Sequence, residues 1–202
     1  LYLDRIGIER EFWLLKGNEI VEPHEYGFPF DEFGFLVEIR THPYSTPEGL
    51  LAELNRLTLA HQAQANALGL RLKLQARHFL GKTLKNYLKK KYAWDSLPDL
   101  TANVYSGVAR SHAMGIDGSY GTAGVHVHFS RHTLDGRQRV QLPIDRIVYA
   151  MDARFNDVIA RAKRIAGEYE IKVHGFEYRS LPATIDIAEV VKFAFLLFKT
   201  EC

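Results

Sequence analysis

Apolar and polar positions alternate through the first stretch of the chain. Residues 3–15, with Ile6, Ile8 and Phe12 on one side, predict a strand. Lys16-Gly17-Asn18 reads as a turn, and Glu19-Ile20-Val21 as its hairpin return. Residues 22–34, with Pro23, Gly27, Pro29 and Gly34, read as loop. Phe35 to Thr41 is apolar except at Glu38 and Arg40, which share one face of a second strand. The pattern then changes period. Ser45 or Thr46 can cap a helix, with Pro47 in its first turn and Glu48 at the positive end of its dipole. Leu50, Leu51, Leu54 and Leu57 carry the apolar stripe, and Gly69 closes the helix at about residue 68.

Residues 70–79 alternate again and predict a single strand. Gly81 to Tyr92 reads as a short basic helix. Residues 93–123, punctuated by Gly115, Gly118 and Gly121, predict loop that approaches a site. Gly124 to Ser130 is a strand followed by a turn at Asp135-Gly136. A helix is expected over 143–166, ended by Gly167, then a last strand over 170–179 and a final amphipathic helix from Asp186 to Lys199. Interspersed strands and helices give an α+β class, with one large antiparallel or mixed sheet backed by helices. There is no internal repeat and no low-complexity segment.

Composition adds little to this picture. The 202 residues are 47% hydrophobic and 12% aromatic, an ordinary globular core for one domain spanning 1–202. A net charge of +2 gives no reason to expect a nucleic-acid partner. The single cysteine, Cys202, excludes a disulfide framework and fits a reducing, cytoplasmic setting. No apolar run is long enough to predict a membrane span. The sequence begins on a strand and stops directly after an apolar helix, so both ends read as cut.

Charge placed within the strands changes the picture more. In Gly124-Val125-His126-Val127-His128-Phe129-Ser130, the apolar residues face one way and His126, His128 and Ser130 the other. Glu9 and Glu11 sit at alternate positions of the first strand, and Glu177 and Arg179 at alternate positions of the last. Asp31 and Glu38 lie before and within the second. Each of these taken alone reads as a solvated strand face. Brought onto one surface, five carboxylates would raise one another's pKa unless cations intervened. Oxygen donors with occasional imidazole suit Mg²⁺ or Mn²⁺. Two such ions beside an arginine are an arrangement for phosphoryl transfer. No Walker loop and no dinucleotide-binding glycine motif occurs.

Four motifs occur in order: Gly7-Ile8-Glu9-Arg10-Glu11, then Asp31 with Glu38-Ile39-Arg40-Thr41-His42-Pro43, then Gly124 to Ser130, then Phe176-Glu177-Tyr178-Arg179-Ser180-Leu181-Pro182. This order resembles the glutamine synthetase and glutamate–cysteine ligase superfamily, the carboxylate–amine ligases. Within it the chain is most similar to the phage-associated COOH-NH2 ligase (type 2) group. The resemblance implies a glutamine synthetase-like sheet with helices on one face and the active site on its concave strand face. It implies that Glu9, His126 and Glu177 hold a metal at the phosphates of ATP, and that Glu11, Asp31 and Glu38 hold a second near the acceptor carboxylate. It places His128 and Ser130 near the nucleotide, Arg179 at the transferred phosphoryl, and Arg40 on a substrate carboxylate. The implied reaction joins a small-molecule or peptide carboxylate to an amine through an acyl phosphate, with oligomeric state left open. The chain is much shorter than glutamine synthetase and lacks an obvious counterpart of its adenine-binding and substrate-covering segments.

Two other readings stand beside the ligase. One is a non-catalytic relative that binds nucleotide or metal as an interaction module, motivated by the basic stretch 82–91. The other is a guanidino-kinase-like phosphotransferase. His24, His42, His61, His78, His112, His132 and His174 have no assigned role, and Phe176 and Tyr178 are expected in the core or the site wall.

Overall fold

The first alternating stretch forms β1 (Tyr2–Lys16), and most of the sheet is assembled on it. The computed structural model describes residues 2–96, 101–106, 120–135 and 140–201. β1 turns at Gly17 into β2 (Glu19–Ile20), then a 3-10 turn at Pro23–Tyr26 leads to β3 (Leu36–Arg40). Helix α1 (Pro47–Ala67) follows, capped by Thr46, whose hydroxyl accepts from the Gly49 amide. Next come β4 (Arg71–Lys73), β5 (Arg77–Phe79), α2 (Gly81–Lys91), β6 (Thr101–Asn103), β7 (Tyr120–Thr122) and β8 (Gly124–Thr133). The chain ends on α3 (Ile144–Arg161), β9 (Glu168–Lys172), β10 (Gly175–Pro182) and α4 (Ile187–Glu201).

Among the described residues, eight strands form one sheet, antiparallel at every pairing, in the order β2-β1-β8-β10-β9-β6, with β3 and β4 also on β1. Glu9 and Arg10 pair with β8 on one edge of β1 and with β3 on the other. Trp13 pairs with both β3 and β4, so β4 continues the β8 edge. This arrangement is α+β with an antiparallel sheet, as expected.

The alternation sorts the two faces. Ile6, Ile8, Phe12 and Leu14 face one way and join Val37, Ile39, Val125, Val127, Phe129, Phe176 and Tyr178 in the main core. Residues of α1, α3 and α4 close that core. Here the sequence expectation of helices on one face needs correction. Helix α2 packs on the opposite face, where Leu80 and Leu88 meet Trp13, Phe35 and Leu36 in a second cluster. Trp13 lies in phase with Glu9 and Glu11, so an aromatic residue on the charged face needs its own cover. Its ring stacks on Phe35 at 5.4 Å, and its Nε1 donates to Gln75 O at 2.7 Å.

Three other expectations change. The strand over 70–79 is two strands: β4 joins the main sheet, while β5 leaves it to pair with β7. The break lies where Gln75 O and Ala76 O accept from Trp13 Nε1 and Ala123 N. The strand over 170–179 is a hairpin, β9 and β10, turning at Val173-His174. The helix expected over 143–166 stops at Arg161, and Lys163 takes a left-handed conformation at φ 55°. Gly115, Gly118, Gly136 and Cys202 lie outside the described residues, as does most of the loop predicted to approach the site.

Candidate metal centre

Antiparallel register brings the charged positions together. Glu9 lies opposite His126 on one side and Arg40 on the other; Glu11 lies opposite Glu38, and Glu177 opposite His128. Cross-strand partners share a face. Hence β3, β1, β8 and β10 deliver their polar residues to the side away from α1, α3 and α4. They line a cleft of about 320 Å³, with Asp31, Glu32 and Phe33 at one wall and Lys172 and His174 at the other.

A bulge tunes the β10 side. Tyr178 pairs with Val127 and Leu181 with Val125, so Arg179 and Ser180 together oppose His126. The extra residue keeps both Tyr178 and Leu181 in the core. Arg179 stays on the cleft side, its Nη1 2.6 Å from Glu177 Oε1 and 3.0 Å from Glu170 Oε2.

Among the described residues, two donor clusters share one imidazole. Ligand atoms of Glu9, His126 and Glu177 lie within 4.8 Å of one another, and so do those of Glu11, Glu38 and His126. The first is the set expected at the nucleotide phosphates. The second contains two of the three residues expected for the other ion, with His126 in place of Asp31. Asp31 lines the same cleft and is held in place by the turn before β3. Its Oδ1 accepts from Phe35 N at 3.2 Å and Leu36 N at 3.0 Å, and Gly34 closes that turn at φ +78°. Its Oδ2 is buried with no hydrogen-bond partner among the described residues.

The expected ligand positions near the nucleotide divide. His128 lines the cleft, with Nε2 3.1 Å from Glu9 Oε1. Ser130 lies farther along β8, buried, donating to Arg5 O at 3.3 Å, and is not among the residues lining the cleft. Arg40 closes the β3 side, 3.1 Å from Glu9 Oε1 and 2.6 Å from Glu38 Oε2, with 60% of its side chain exposed. Phe176 and Tyr178 are core residues on the far face.

Sequence reasoning missed Lys172, Glu170 and His174. Lys172 Nζ lies 2.9 Å from Glu177 Oε2 and 2.7 Å from Glu170 Oε1. His174 Nε2 is 3.2 Å from His128 Nδ1. The signal was present in Glu168-Tyr169-Glu170-Ile171-Lys172, whose polar residues alternate. It comes into phase with Glu177 and Arg179 only once the turn at Val173-His174 is recognised.

Electrostatics in the cleft are polarised. Burial opposes ionisation of Glu9, but hydrogen bonds with His126 and His128 outweigh it and hold the carboxyl well below its usual range. Burial and the adjacent Glu9 charge push Glu38 well above that range, so the pair keeps one proton at neutral pH. Burial, with Glu11 nearby, pushes Asp31 up to about 7. Burial disfavours ionised Glu177, yet His126 and Arg179 hold its pKa low. His126 works against burial and the Arg179 charge, and Glu177 and Glu11 raise it to about 9. Protons and cationic side chains thus neutralise carboxylates that a divalent ion could neutralise instead. Among the described residues oxygen donors dominate, one imidazole is shared, and Asp31 offers an unused oxygen. This donor set fits Mg²⁺ or Mn²⁺.

No protein-family model matches this sequence, and neither a curated protein nor a solved structure matches it.

Proposed function

We propose that the protein is an ATP- and Mg²⁺-dependent carboxylate–amine ligase. The observation that carries this reading is the pair of carboxylate clusters sharing His126, flanked by Arg179 on one side and Arg40 on the other. Two adjacent divalent sites with a cation at each end suit a reaction between two anions, a polyphosphate and a carboxylate. Glu9, His126 and Glu177 would hold the ion nearest the nucleotide, and Glu11, Glu38 and Asp31 the one nearest the acceptor. When bound, these ions would supply positive charge that screens the repulsion between the two anionic reactants.

The protein's own groups do the rest. Arg40, mostly exposed and anchored on Glu9 and Glu38, is placed to receive the acceptor carboxylate. Arg179, held by Glu177 and Glu170, is placed to receive charge on the transferred phosphoryl. In the first step a carboxylate oxygen attacks the γ-phosphorus of ATP, the bond to the bridging oxygen breaks, and ADP leaves. In the second, an amine attacks the acyl carbon, phosphate departs with the carbon–oxygen electron pair, and the amine loses a proton. A carboxylate is a poor electrophile, and phosphorylation supplies its leaving group.

The test supplies ATP, Mg²⁺ and panels of carboxylates and amines, and follows ADP and phosphate. The expected result is phosphate release only with both substrates, lost in Glu177→Ala together with metal-dependent ATP binding measured by calorimetry. A stable phosphorylated product without any amine would favour a kinase. Metal-independent ATP binding that survives Glu177→Ala would overturn the reading.

A further inference from the structure

The two oxygens of Glu177 are used unequally. Oε1 already takes His126 Nδ1 at 2.9 Å and Arg179 Nη1 at 2.6 Å. On Oε2, the close cation among the described residues is Lys172 Nζ at 2.9 Å; His128 Nε2 stands off at 3.9 Å. Oε2 is thus the oxygen of this carboxylate with room for a metal, and the lysine ammonium occupies that place. Lys172 also has a second seat, Glu170 Oε1 at 2.7 Å. Glu170 belongs to neither metal-binding cluster.

Lys172 is the side chain best suited to move. It leaves the sheet at the end of β9, next to the turn at Val173-His174, with Val173 almost wholly exposed. Its four-carbon stem lets the ammonium swing while the backbone stays in register. Arg179 is more enclosed, with 17% of its side chain exposed against 28% for Lys172. An ammonium and a divalent cation cannot both lie against one carboxylate oxygen without strong repulsion. Both Lys172 and His174 line the cleft at the wall opposite Asp31, Glu32 and Phe33.

We propose that Lys172 is an exchangeable counter-ion: it holds Glu177 in the metal-free protein, yields Oε2 to the divalent cation, and then binds the polyphosphate of the nucleotide. This rests on the ligase reading for its metal and nucleotide but assigns a residue and an order of events beyond it. Metal binding releases the lysine, and the lysine completes the phosphate site. The nucleotide therefore meets a cationic wall only after the metal is in place.

The experiment combines two readouts. Amine labelling followed by mass spectrometry measures the reactivity of Lys172 in the metal-free protein, with Mn²⁺, and with Mn²⁺ and ATP. The expected sequence is protected, reactive, protected. Calorimetry then compares the wild type with Lys172→Gln, whose fold is checked by its thermal transition. The variant is expected to bind Mn²⁺ alone on the order of three- to tenfold more tightly, and Mn²⁺-ATP weaker by a similar factor. Lys172 reactivity that ignores Mn²⁺, or a variant with unchanged or weaker Mn²⁺ affinity, would overturn the exchange while leaving the metal centre standing. Tighter Mn²⁺ with unchanged ATP affinity would overturn the phosphate contact. Failure of the wild type to take Mn²⁺ at all would overturn the metal centre itself.

Discussion

At the scale of single residues, the cleft stores protonation states that a cation would change. Asp31, Glu38 and His126 all have folded-state pKa values above their unfolded ones. Groups shifted that way contribute stability below their unfolded pKa and lose it as pH rises through the folded value. Without divalent ions, the thermal transition is therefore expected to fall as pH rises from about 5 toward 9, a window bounded by ordinary carboxylate values and by His126. Glu9 and Glu177 are depressed and act at the other end, losing their contribution as the pH drops below the usual carboxylate range. Thermal scans in chelator across this range check the slope. Glu38→Gln should flatten it, and Mg²⁺ should oppose it, since metal binding displaces protons. A pH-independent transition in chelator would contradict the assigned protonation.

The candidate site residues were largely legible in sequence, because a polar residue at every second position of a strand is a local signal. Glu9, Glu11, Glu38, His126, His128, Glu177 and Arg179 all reach one cleft. What local alternation could not carry was ranking among them. Ser130 obeys the same phase as His126 and His128, yet it lies beyond the cleft under Arg5.

At the scale of elements, turns decided what the sequence concealed. A run of alternating residues does not announce where it folds back, so β9 and β10 read as one strand and Lys172 was lost with the turn. Close approach explains why that hairpin carries Gly175: a Cβ there would lie 1.9 Å from Phe129 O. Gly175→Ala should push β10 away from β8 and destabilise the fold by about 2–4 kcal/mol, read from the denaturant midpoint. It should also weaken Mn²⁺ binding, because Glu177 rides on the same strand. Arg10 provides a second test of this kind. It points to the core side from β1, and its guanidinium donates to Ala183 O at 2.9 Å and Ile185 O at 3.3 Å beyond the end of β10. Arg10→Met should leave those carbonyls unpaired and cost about 1–3 kcal/mol. A variant as stable as the wild type would mean that water serves those carbonyls equally well.

At the scale of the whole molecule, the cleft sets six carboxyl groups against two arginines, one lysine and three imidazoles. A protein that binds divalent ions there should be stabilised by mass action. At one hundred times the dissociation constant the gain is about 2.7 kcal/mol, which for a domain this size raises Tm by roughly 5–10 °C. Calorimetric scans with Mg²⁺ and with Ca²⁺ check this and report selectivity. The fold class was legible because elements of both periods are interspersed along the chain. Strand order was not. The pairing of β1 with β8 joins residues more than a hundred positions apart, and no local pattern encodes it.

That distant pairing also has a consequence during synthesis. β1 can find β2, β3 and β4 within several dozen residues, but along Tyr2–Arg10 its other edge waits for β8, with Glu9 and His126 separated by 117 positions. At about 5–20 residues per second, a ribosome leaves that edge open for on the order of ten seconds. That open stretch carries Ile6 and Ile8 on one face, residues that end wholly or almost wholly buried. An unpaired edge with apolar flanks templates association between nascent chains. Yield from rapid synthesis should therefore suffer more than the stability of the finished protein would suggest, and slower translation or holdase chaperones should recover it.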